Sequence, residues 1–377
     1  MQKKYKMVDL NDKIKNIINQ EIESKRFSVL DESSVNLIRQ IISNYEEKNN
    51  LRQNFENLPK KAELIFVAAP TGAGKDSLVA RLNNANPEKN YIELNMDMFR
   101  HYFSRFIPDV KLQDRTFADQ TSEFSYEMYY TIQEVLLTEF PGTNIIITGT
   151  LWKTDWVQET FEKYKQNKNT DYSITLASLA VPEKDSAFSI LKRYVSIVDT
   201  GILGKDEDGK EIYSKDFLPG SARYTSLDYH NATYDRFPES LRYFQNMFEK
   251  GELIDCMKVY RRSKKELDFS DDTLVYSSDN IMQSDQNALD TVIKLRNSES
   301  QITQDDIFSL FEVLTDSKNQ SYFKSQNVIE EIVFDLAEIL GKQDILKKHI
   351  AQRKRKFENP DTGENGGVQG DNSDERF

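Results

Sequence analysis

A glycine-rich segment that contains a lysine is the part of this 377-residue sequence best suited to binding phosphate. It reads Ala-Pro-Thr-Gly-Ala-Gly-Lys-Asp-Ser over residues 69–77 and follows an apolar run at 64–68. Glycines let backbone N–H groups turn inward around phosphate oxygens, and the start of the following helix adds partial positive charge. Lys75 would then reach the β- and γ-phosphates. We therefore expect a nucleotide site formed by Pro70, Thr71, Gly72, Ala73, Gly74, Lys75, Asp76 and Ser77.

Two positions depart from the phosphate-binding pattern G-x-x-x-x-G-K-[ST]. Ala69 stands at the first glycine position, which is a mild change if the backbone there avoids positive φ. Asp76 replaces the hydroxyl that binds Mg²⁺. Its carboxylate is a hard oxygen donor that could hold Mg²⁺ directly or through water, so Asp76 is the expected metal ligand. A glycine-rich turn without a ligand is the alternative, and the strand–loop–helix context disfavours it.

A second acidic residue, Asp97, follows the apolar run 91–96. In an open parallel sheet, ligands gather beyond the carboxyl ends of the strands. Asp97 would therefore lie near the phosphate loop and could accept the proton of an attacking hydroxyl, as the catalytic base of a kinase does. A helix N-cap is an equally good interpretation of an acid in this position.

Short apolar runs that alternate with helix-like segments must position these residues. The runs lie at 64–69, 91–96, 144–150, 173–181 and 257–260. Continuous apolar strands separated by crossover helices are typical of a buried parallel sheet. Helices are expected between them over 124–136, 183–197 and 237–250. The pattern predicts an α/β domain over residues 62–262, in which a parallel sheet is flanked by helices.

The segments on either side of this domain have a different hydrophobic pattern. Residues 1–61 predict a helical N-terminal extension, and 263–352 a helical C-terminal appendage, because apolar residues recur there at helical spacing. The last stretch, 353–377, is rich in Gly, Asn and Asp and is expected to be a disordered tail. The long, Gly-rich segment 201–223 inside the domain is expected to be either functional or disordered.

Composition excludes several classes of function. With 50 Lys and Arg against 62 Asp and Glu, the formal net charge is −12, which disfavours binding to nucleic acid or to an anionic membrane. One cysteine and three scattered histidines do not support a structural zinc site. The polar N-terminus does not read as a signal peptide, and no run of 18 apolar residues occurs. We therefore expect a cytoplasmic protein.

The order of several short motifs resembles the zeta-toxin family, the kinase half of the epsilon–zeta toxin–antitoxin systems. The resemblance covers about 62–262, a little over half of the chain, and its motifs are loose singly but specific in their order. The matching segments are the phosphate loop 69–77, NMDMFR at 95–100, ITGT at 147–150 with Lys153-Thr154-Asp155 behind it, Ala180-Val181-Pro182, Lys192-Arg193-Tyr194, Ser221-Ala222-Arg223-Tyr224 and the strand around 256–261.

The resemblance implies a P-loop NTPase or kinase-like fold and transfer of the γ-phosphate of ATP or GTP, with Mg²⁺, to a hydroxyl of a UDP-N-acetylated amino sugar. Lys75 would bind the triphosphate and Asp97 would act as the base. Arg193 and Arg223 would neutralise charge on the phosphoryl group. For each arginine, a solvated surface charge is the alternative. The implied substrate-binding residues are Asp97, Arg100, Thr148, Thr150 and Trp152.

Two departures from the family pattern affect the substrate pocket more than the reaction. Thr148 stands where the family usually has a Glu, and Trp152 where it usually has an Arg. Loss of a carboxylate and a guanidinium changes what the pocket can hydrogen-bond and neutralise. Trp152 could instead stack on a ring, although an exposed or core-filling Trp explains it nearly as well. Adenylate-kinase-like and ribose-phosphate kinases are the nearest enzymatic alternatives.

A different class of function also fits the sequence: a nucleotide-binding, weakly active interaction module regulated by its helical flanks. The resemblance implies a separate epsilon-type antitoxin as partner, and residues 1–60 could instead inhibit the nucleotide site in cis. Helices that only pad the sheet or mediate dimerisation are the simpler interpretation of those flanks.

Overall fold

A computed structural model describes residues 61–100, 113–215, 217–262, 274–279 and 287–341 of the chain. The expected N-terminal extension lies outside the described residues, except for Lys61, which begins the first strand. The proposed inhibitory segment 1–60 and the tail 353–377 also lie outside them.

Most of the strands belong to one sheet, whose spatial order is β2–β3–β1–β4–β7–β8, and β5 and β6 form a separate hairpin. All neighbours in the large sheet are parallel except β8, which runs antiparallel to β7. The strands are β1 (Lys61–Ala68), β2 (Ile92–Leu94), β3 (Ile145–Gly149), β4 (Asp171–Ala180), β5 (Ile202–Lys205), β6 (Glu211–Tyr213), β7 (Cys256–Arg261) and β8 (Leu274–Ser277).

Helices cover both faces of the sheet, which confirms the predicted α/β fold. They are α1 (Lys75–Ala85), α2 (Asp97–Arg100), α3 (Phe117–Gln120), α4 (Ser122–Glu139), α5 (Thr154–Lys165), α6 (Glu183–Gly201), α7 (Leu227–Glu249), α8 (Ala288–Arg296), α9 (Gln304–Thr315), α10 (Ser317–Gln326) and α11 (Ile329–Leu340). The larger core joins α4, α5, α7 and α8 to one face, and α1 packs on the other.

The central strand β1 carries the alternation that produces these two cores. Leu64 and Phe66 point into the larger core, whereas Ile65 and Val67 point into the smaller one beside α1. Successive side chains of a strand face opposite sides of a sheet, so a strand covered on both faces must be apolar throughout. This requirement explains why the run 64–68 has no polar residue.

Helix α7 begins at Leu227, well before the expected start at 237, so Pro238 lies inside the helix and not near its N-terminus. Proline removes one i→i−4 hydrogen bond, which normally ends a helix. Here buried residues continue on both sides of it, including Tyr234, Phe237 and Leu241. We attribute the unbroken helix to this continuous apolar face, whose burial outweighs the missing hydrogen bond.

The long segment 201–223 is ordered at its start by the hairpin β5–β6, in which Asp206 and Lys210 close the turn through an N–H···O bond of 2.9 Å. The hairpin packs against α6 and α10. The last residues of the segment form the loop that carries Arg223.

Strand β8 was not expected from the sequence, because its four residues are exposed or half-buried and lack a buried apolar face.

The chain divides into two units, Met1–Ile329 and Glu330–Phe377. The first contains the sheet and helices α1–α10. Of the second, the structure describes residues 330–341, which hold most of α11. Within the described ranges, no helix is both long enough and apolar enough to span a bilayer.

We predict that Ser226→Ala destabilises the protein by about 1 kcal/mol, the usual contribution of an N-cap. The Ser226 hydroxyl accepts a hydrogen bond of 3.3 Å from the N–H of Tyr229 and so caps α7. Urea denaturation monitored by circular dichroism measures the loss. Ser226→Asp should retain the stability, because a carboxylate caps equally well, and equal losses in the two variants would contradict the capping role.

Candidate active site

The loop 69–74 lies between the end of β1 and the start of α1, as the phosphate-binding interpretation requires. Gly72 and Gly74 have φ values of +81° and +96°, a region that favours glycine. Gly74 is the N-cap of α1, and no side chain caps the helix there. The first N–H groups of α1 therefore retain their capacity to donate to an anion.

Gly72 is constrained by space as well as by conformation. A Cβ atom at this position would lie 2.1 Å from the carbonyl oxygen of Ser186 and 2.7 Å from Cγ1 of Ile190. Both residues belong to α6, so the phosphate loop lies directly against that helix. At Gly74, by contrast, a Cβ would meet nothing within 4 Å.

The side chain of Lys75 is hydrogen-bonded to the backbone of its own loop. Its Nζ donates to the carbonyl oxygens of Ala69 and Pro70, each at 3.0 Å. Burial, aided by Arg193 and Arg223 and opposed by Asp76 and Asp97, lowers the pKa of Lys75 to about 8. A triphosphate would replace the two carbonyls as partners of the ammonium group and favour its charged form.

The substitution at the first glycine position is tolerated, because Ala69 is not among the positive-φ residues of the described chain. Its N–H donates to the carbonyl of Gly149 at 3.1 Å, which extends the pairing of β1 with β3 by one bond into the loop. The condition under which Ala is a mild change is therefore met.

Asp76 and Ser77 are exposed in the first turn of α1. Among the described residues, no group of three acidic, His or Cys side chains could hold a metal ion. This donor set does not fit a metal site made of protein ligands alone. It does fit Mg²⁺ bound together with a nucleotide, because Mg²⁺ in such sites takes one or two carboxylates and completes its shell with phosphates and water.

Asp97 is the first residue of α2, and its carboxylate is held by two arginines. Oδ1 accepts from Nε of Arg100 at 2.7 Å, and Oδ2 accepts from Nη1 of Arg223. The side chain of Asn95 takes the capping role instead, since its Oδ1 accepts from the N–H of Asp97 at 3.0 Å. Burial alone would raise the pKa of Asp97, but Arg223 and Arg100 hold it well below its usual range.

Arg100 anchors this arrangement in the protein. Its side chain is 9% exposed, and Nη1 donates to the carbonyl of Ala118 at 2.6 Å and to Oγ1 of Thr121 at 2.8 Å. These partners lie in α3 and just before α4. With its guanidinium committed to three partners, Arg100 orients the Asp97 carboxylate and is poorly placed to move onto a substrate.

Arg193 and Arg223 meet at this site from distant parts of the chain. Arg223 follows the β5–β6 hairpin, whereas Arg193 lies on α6. Removal of water from its guanidinium and repulsion by Arg223 lower the pKa of Arg193, and Asp97 and Asp76 oppose them. The structure thus brings the phosphate-loop lysine, the acid and both arginines into one electrostatic cluster.

The expected substrate residues Thr148, Thr150 and Trp152 lie at and beyond the end of β3, and all three are half-buried. Strand β3 lies between β1 and β2, so its end adjoins both the phosphate loop and Asp97. The Trp152 ring faces Arg236 of α7, whose Cζ lies 5.2 Å from the ring centroid.

Three further residues line this side of the site and were not predicted as site residues. Nζ of Lys153 lies 5.6 Å from the ring centroid of Tyr126 on α4. Tyr229, on α7, is 46% exposed; burial raises its pKa, and Arg223 lowers it. The sequence carries no signal for the tyrosines, because an aromatic residue on a helix usually packs into the core.

A parallel sheet with a glycine-rich phosphate loop after its central strand, and with an acid and two arginines gathered near that loop, defines a P-loop protein of the kinase type. The zeta toxin family model matches residues 48–274, which is more than half of the chain. The protein therefore belongs to the zeta toxin family.

Solved structures with a similar backbone include a chain of the PezAT chromosomal toxin–antitoxin system of Streptococcus pneumoniae. It is 19% identical, the match covers 72% of this chain and 95% of that one, and the TM-score is 0.47. A chain from the AvrRxo1-ORF1:AvrRxo1-ORF2 complex with ATP is 12% identical, with 81% and 88% covered and a TM-score of 0.47. A search of curated proteins finds no match.

We predict that Gly72→Ala weakens ATP binding and lowers the free energy of unfolding by more than the roughly 1–2 kcal/mol of left-handed strain alone. The added methyl must displace the backbone of α6. Gly74→Ala is the matched control, because it has the strain without the clash. Urea denaturation and calorimetric titration with ATP measure both effects. Equal loss of stability in the two variants would show that the contact with α6 is unimportant.

Proposed function

We propose that this protein is a kinase that transfers the γ-phosphate of ATP or GTP to a hydroxyl of a UDP-N-acetylated amino sugar or a related nucleotide metabolite. The observation that carries the proposal is the contact of Asp97 with Arg223, both of which lie close enough to Lys75 to affect its pKa. Phosphoryl transfer needs a base, a lysine that binds phosphate and a second cation that can reach the transferred group, and here all three lie in one cluster. We assign this role to the domain 62–262.

In the proposed reaction, the acceptor hydroxyl oxygen attacks the γ-phosphorus while the bond from that phosphorus to the β–γ bridging oxygen breaks. The hydroxyl proton passes to the Asp97 carboxylate, and the nucleoside diphosphate leaves with the bridging oxygen. Lys75 and Arg193 stabilise the negative charge spread over the equatorial oxygens. When bound with the nucleotide beside Asp76, Mg²⁺ would neutralise part of the charge of the phosphates.

Asp97 cannot accept a proton effectively while Arg223 and Arg100 are both bound to it, because they lower its pKa. Of the two, Arg223 is the more exposed, at 23% against 9%. We infer that Arg223 turns to the γ-phosphate when the nucleotide binds and so frees Oδ2 of Asp97. The same movement would bring a cation to the phosphoryl group and raise the basicity of the acid.

The acceptor side of the site supports a nucleotide-like substrate. Trp152 with Arg236 and Tyr126 with Lys153 place two aromatic rings, each beside a cation, on the side of the site beyond β3. Aromatic faces stack on a nucleobase, and the cations neutralise a diphosphate. In this proposal, Trp152 and Arg236 replace the Arg that the family usually carries at position 152. Thr148 and Thr150 complete the proposed substrate set, to which Arg100 contributes by orienting Asp97.

A protein antitoxin is the partner that membership of the family favours. We propose that such a protein regulates this chain by covering the phosphate loop. Inhibition in cis by residues 1–60 is the second possibility, and it would make a separate antitoxin unnecessary.

The central prediction is that the protein, given Mg²⁺-ATP or Mg²⁺-GTP, adds one phosphate to UDP-N-acetylglucosamine or a related UDP-sugar. Mass spectrometry of the acceptor detects the product. Lys75→Ala should abolish both nucleotide binding and transfer, because it removes the cation that reaches the phosphates. Asp97→Asn should abolish transfer while nucleotide binding remains, because an amide cannot accept the proton.

The two variants separate the proposed enzyme from its alternative. Tight, Lys75-dependent ATP binding without transfer to any UDP-sugar would exclude the sugar kinase and favour a binding module or another acceptor. Transfer that survives Asp97→Asn would exclude Asp97 as the base.

We also predict that Arg223→Gln moves the acidic limb of the kcat/KM profile to higher pH. Arg223 lowers the pKa of Asp97, so its removal raises that pKa, and the base becomes protonated at a higher pH than in the wild type. Rates measured across the acid range with a UDP-sugar acceptor test this. Arg193→Gln is the control: it should lower kcat and move the limb less, because Arg193 is not hydrogen-bonded to Asp97. An unchanged limb in Arg223→Gln would contradict the pairing.

A further inference from the structure

Asp114 is a buried carboxylate that binds several elements around the loop of Arg223. It lies just before α3 and is 1% exposed. Oδ2 accepts from the hydroxyl of Tyr194 at 2.6 Å, and Oδ1 accepts from the hydroxyl of Tyr322 at 2.9 Å. Oδ1 also accepts from the N–H of Ala222 at 3.0 Å. We call Asp114 with these three partners the Asp114 cluster.

The hydrogen bonds of Asp114 lie on both sides of Arg223. The N–H of Ala222 binds the carboxylate, and the N–H of Tyr224 donates to the carbonyl of Asp114 at 2.8 Å. Arg223 itself has φ +57°, a left-handed conformation that is uncommon for residues other than glycine. Such a conformation persists only where the surrounding structure fixes it. Asp114 supplies that constraint at both neighbouring residues.

The same carboxylate is also hydrogen-bonded to the residue next to the second arginine, Arg193. Tyr194, which donates to Oδ2, follows Arg193 directly on α6. The hydroxyl of Tyr322 accepts from the N–H of Gly220 at 2.9 Å, so it supports the Arg223 loop a few residues earlier. One buried group therefore fixes the chain next to each arginine of the site.

The chemistry of the cluster suits an ionised acid. Its two hydroxyl groups and one N–H all donate, and no ion pair to Asp114 is present within the described part of the chain. Burial raises the pKa of Asp114, and the hydrogen bonds from Tyr194, Tyr322 and Ala222 oppose that rise. A buried carboxylate without a cation is costly unless several donors satisfy it, so its position is strongly determined.

We propose that Asp114 is a positioning residue, which holds Arg223 and Arg193 in the orientation that phosphoryl transfer requires. The proposal rests on the kinase function proposed above. Asp114 does not touch the reacting atoms; it acts through the backbone of residues 222–224 and through Tyr194. The C-terminal helix α10, which carries Tyr322, is thereby part of the support of the active site.

The test compares Asp114→Asn with the wild type in steady-state kinetics and ATP binding. We expect kcat to fall at least tenfold and the Kd for ATP to rise by a smaller factor, because the phosphate loop keeps Lys75 and its backbone N–H groups, whereas the cluster positions the two arginines. The acidic limb of the pH–rate profile should move to higher pH, as in Arg223→Gln, because a misplaced Arg223 no longer lowers the pKa of Asp97. Tyr194→Phe removes only one hydroxyl and should show the same changes more weakly if Asp114→Asn fails to fold.

A double-mutant cycle separates positioning from general destabilisation. The kcat of Asp114→Asn combined with Arg223→Gln should fall little below that of Arg223→Gln alone, since the first change acts largely through Arg223. Thr303→Ala is the control for stability: it removes the N-cap of α9, whose hydroxyl accepts from the N–H of Asp306 at 3.1 Å, and should leave kcat and the acidic limb unchanged.

The outcomes distinguish the two proposals. A wild-type protein that transfers no phosphate overturns the proposed function and the role of Asp114 with it. An active wild type whose Asp114→Asn variant folds and keeps its kcat, or whose double variant loses the product of the two single effects, overturns the role of Asp114 alone.

Discussion

The pairing of β1 with β3 on one side and β4 on the other is the constraint on which the rest of the structure depends. It aligns Ala68 and Gly149, the last residues of β1 and β3, with each other, and Ala68 with Ser178, two residues before the end of β4. Because both faces of β1 are buried, a shift in register by one residue would move each side chain into the opposite core, where it does not fit, and is disfavoured. The phosphate loop therefore emerges at a fixed point, and the acid and the arginines are arranged around it.

Charge organises the site as strongly as backbone geometry does. Two acids, Asp76 and Asp97, and two arginines, Arg193 and Arg223, lie close enough to Lys75 to shift its pKa. Without a nucleotide, Asp97 and Lys75 are satisfied internally, by arginines and by loop carbonyls respectively. A triphosphate must compete with these internal partners, so part of its binding energy is used to rearrange the cluster. In the proposed mechanism, the contacts that stabilise the resting site are the ones that must be broken before Asp97 can accept a proton.

Local sequence patterns were sufficient to predict the sheet and the phosphate loop, because continuous apolar strands and glycine-rich turns can each be recognised within a few residues. They were insufficient where partners are distant in the chain. Pro238 indicated a helix start, but the packing of α7 overrode that local preference. Asp114 carried no signal, since its role depends on Tyr322, which is 208 positions away. The meeting of Arg223 with Asp97 came from family resemblance and not from spacing.

The contact of α10 with the Arg223 loop limits where the chain can be divided into separate modules. The zeta toxin family match ends at residue 274, yet two side chains of α10 bind Asp114. The hydroxyl of Tyr322 donates to its carboxylate, and Oε1 of Gln326 accepts from its backbone N–H at 3.1 Å. A boundary drawn at the end of the match would separate these side chains from their buried partner. In this chain α10 is therefore not a detachable addition: an evolutionary gain, loss or exchange of that helix would alter how firmly the arginine loop is held.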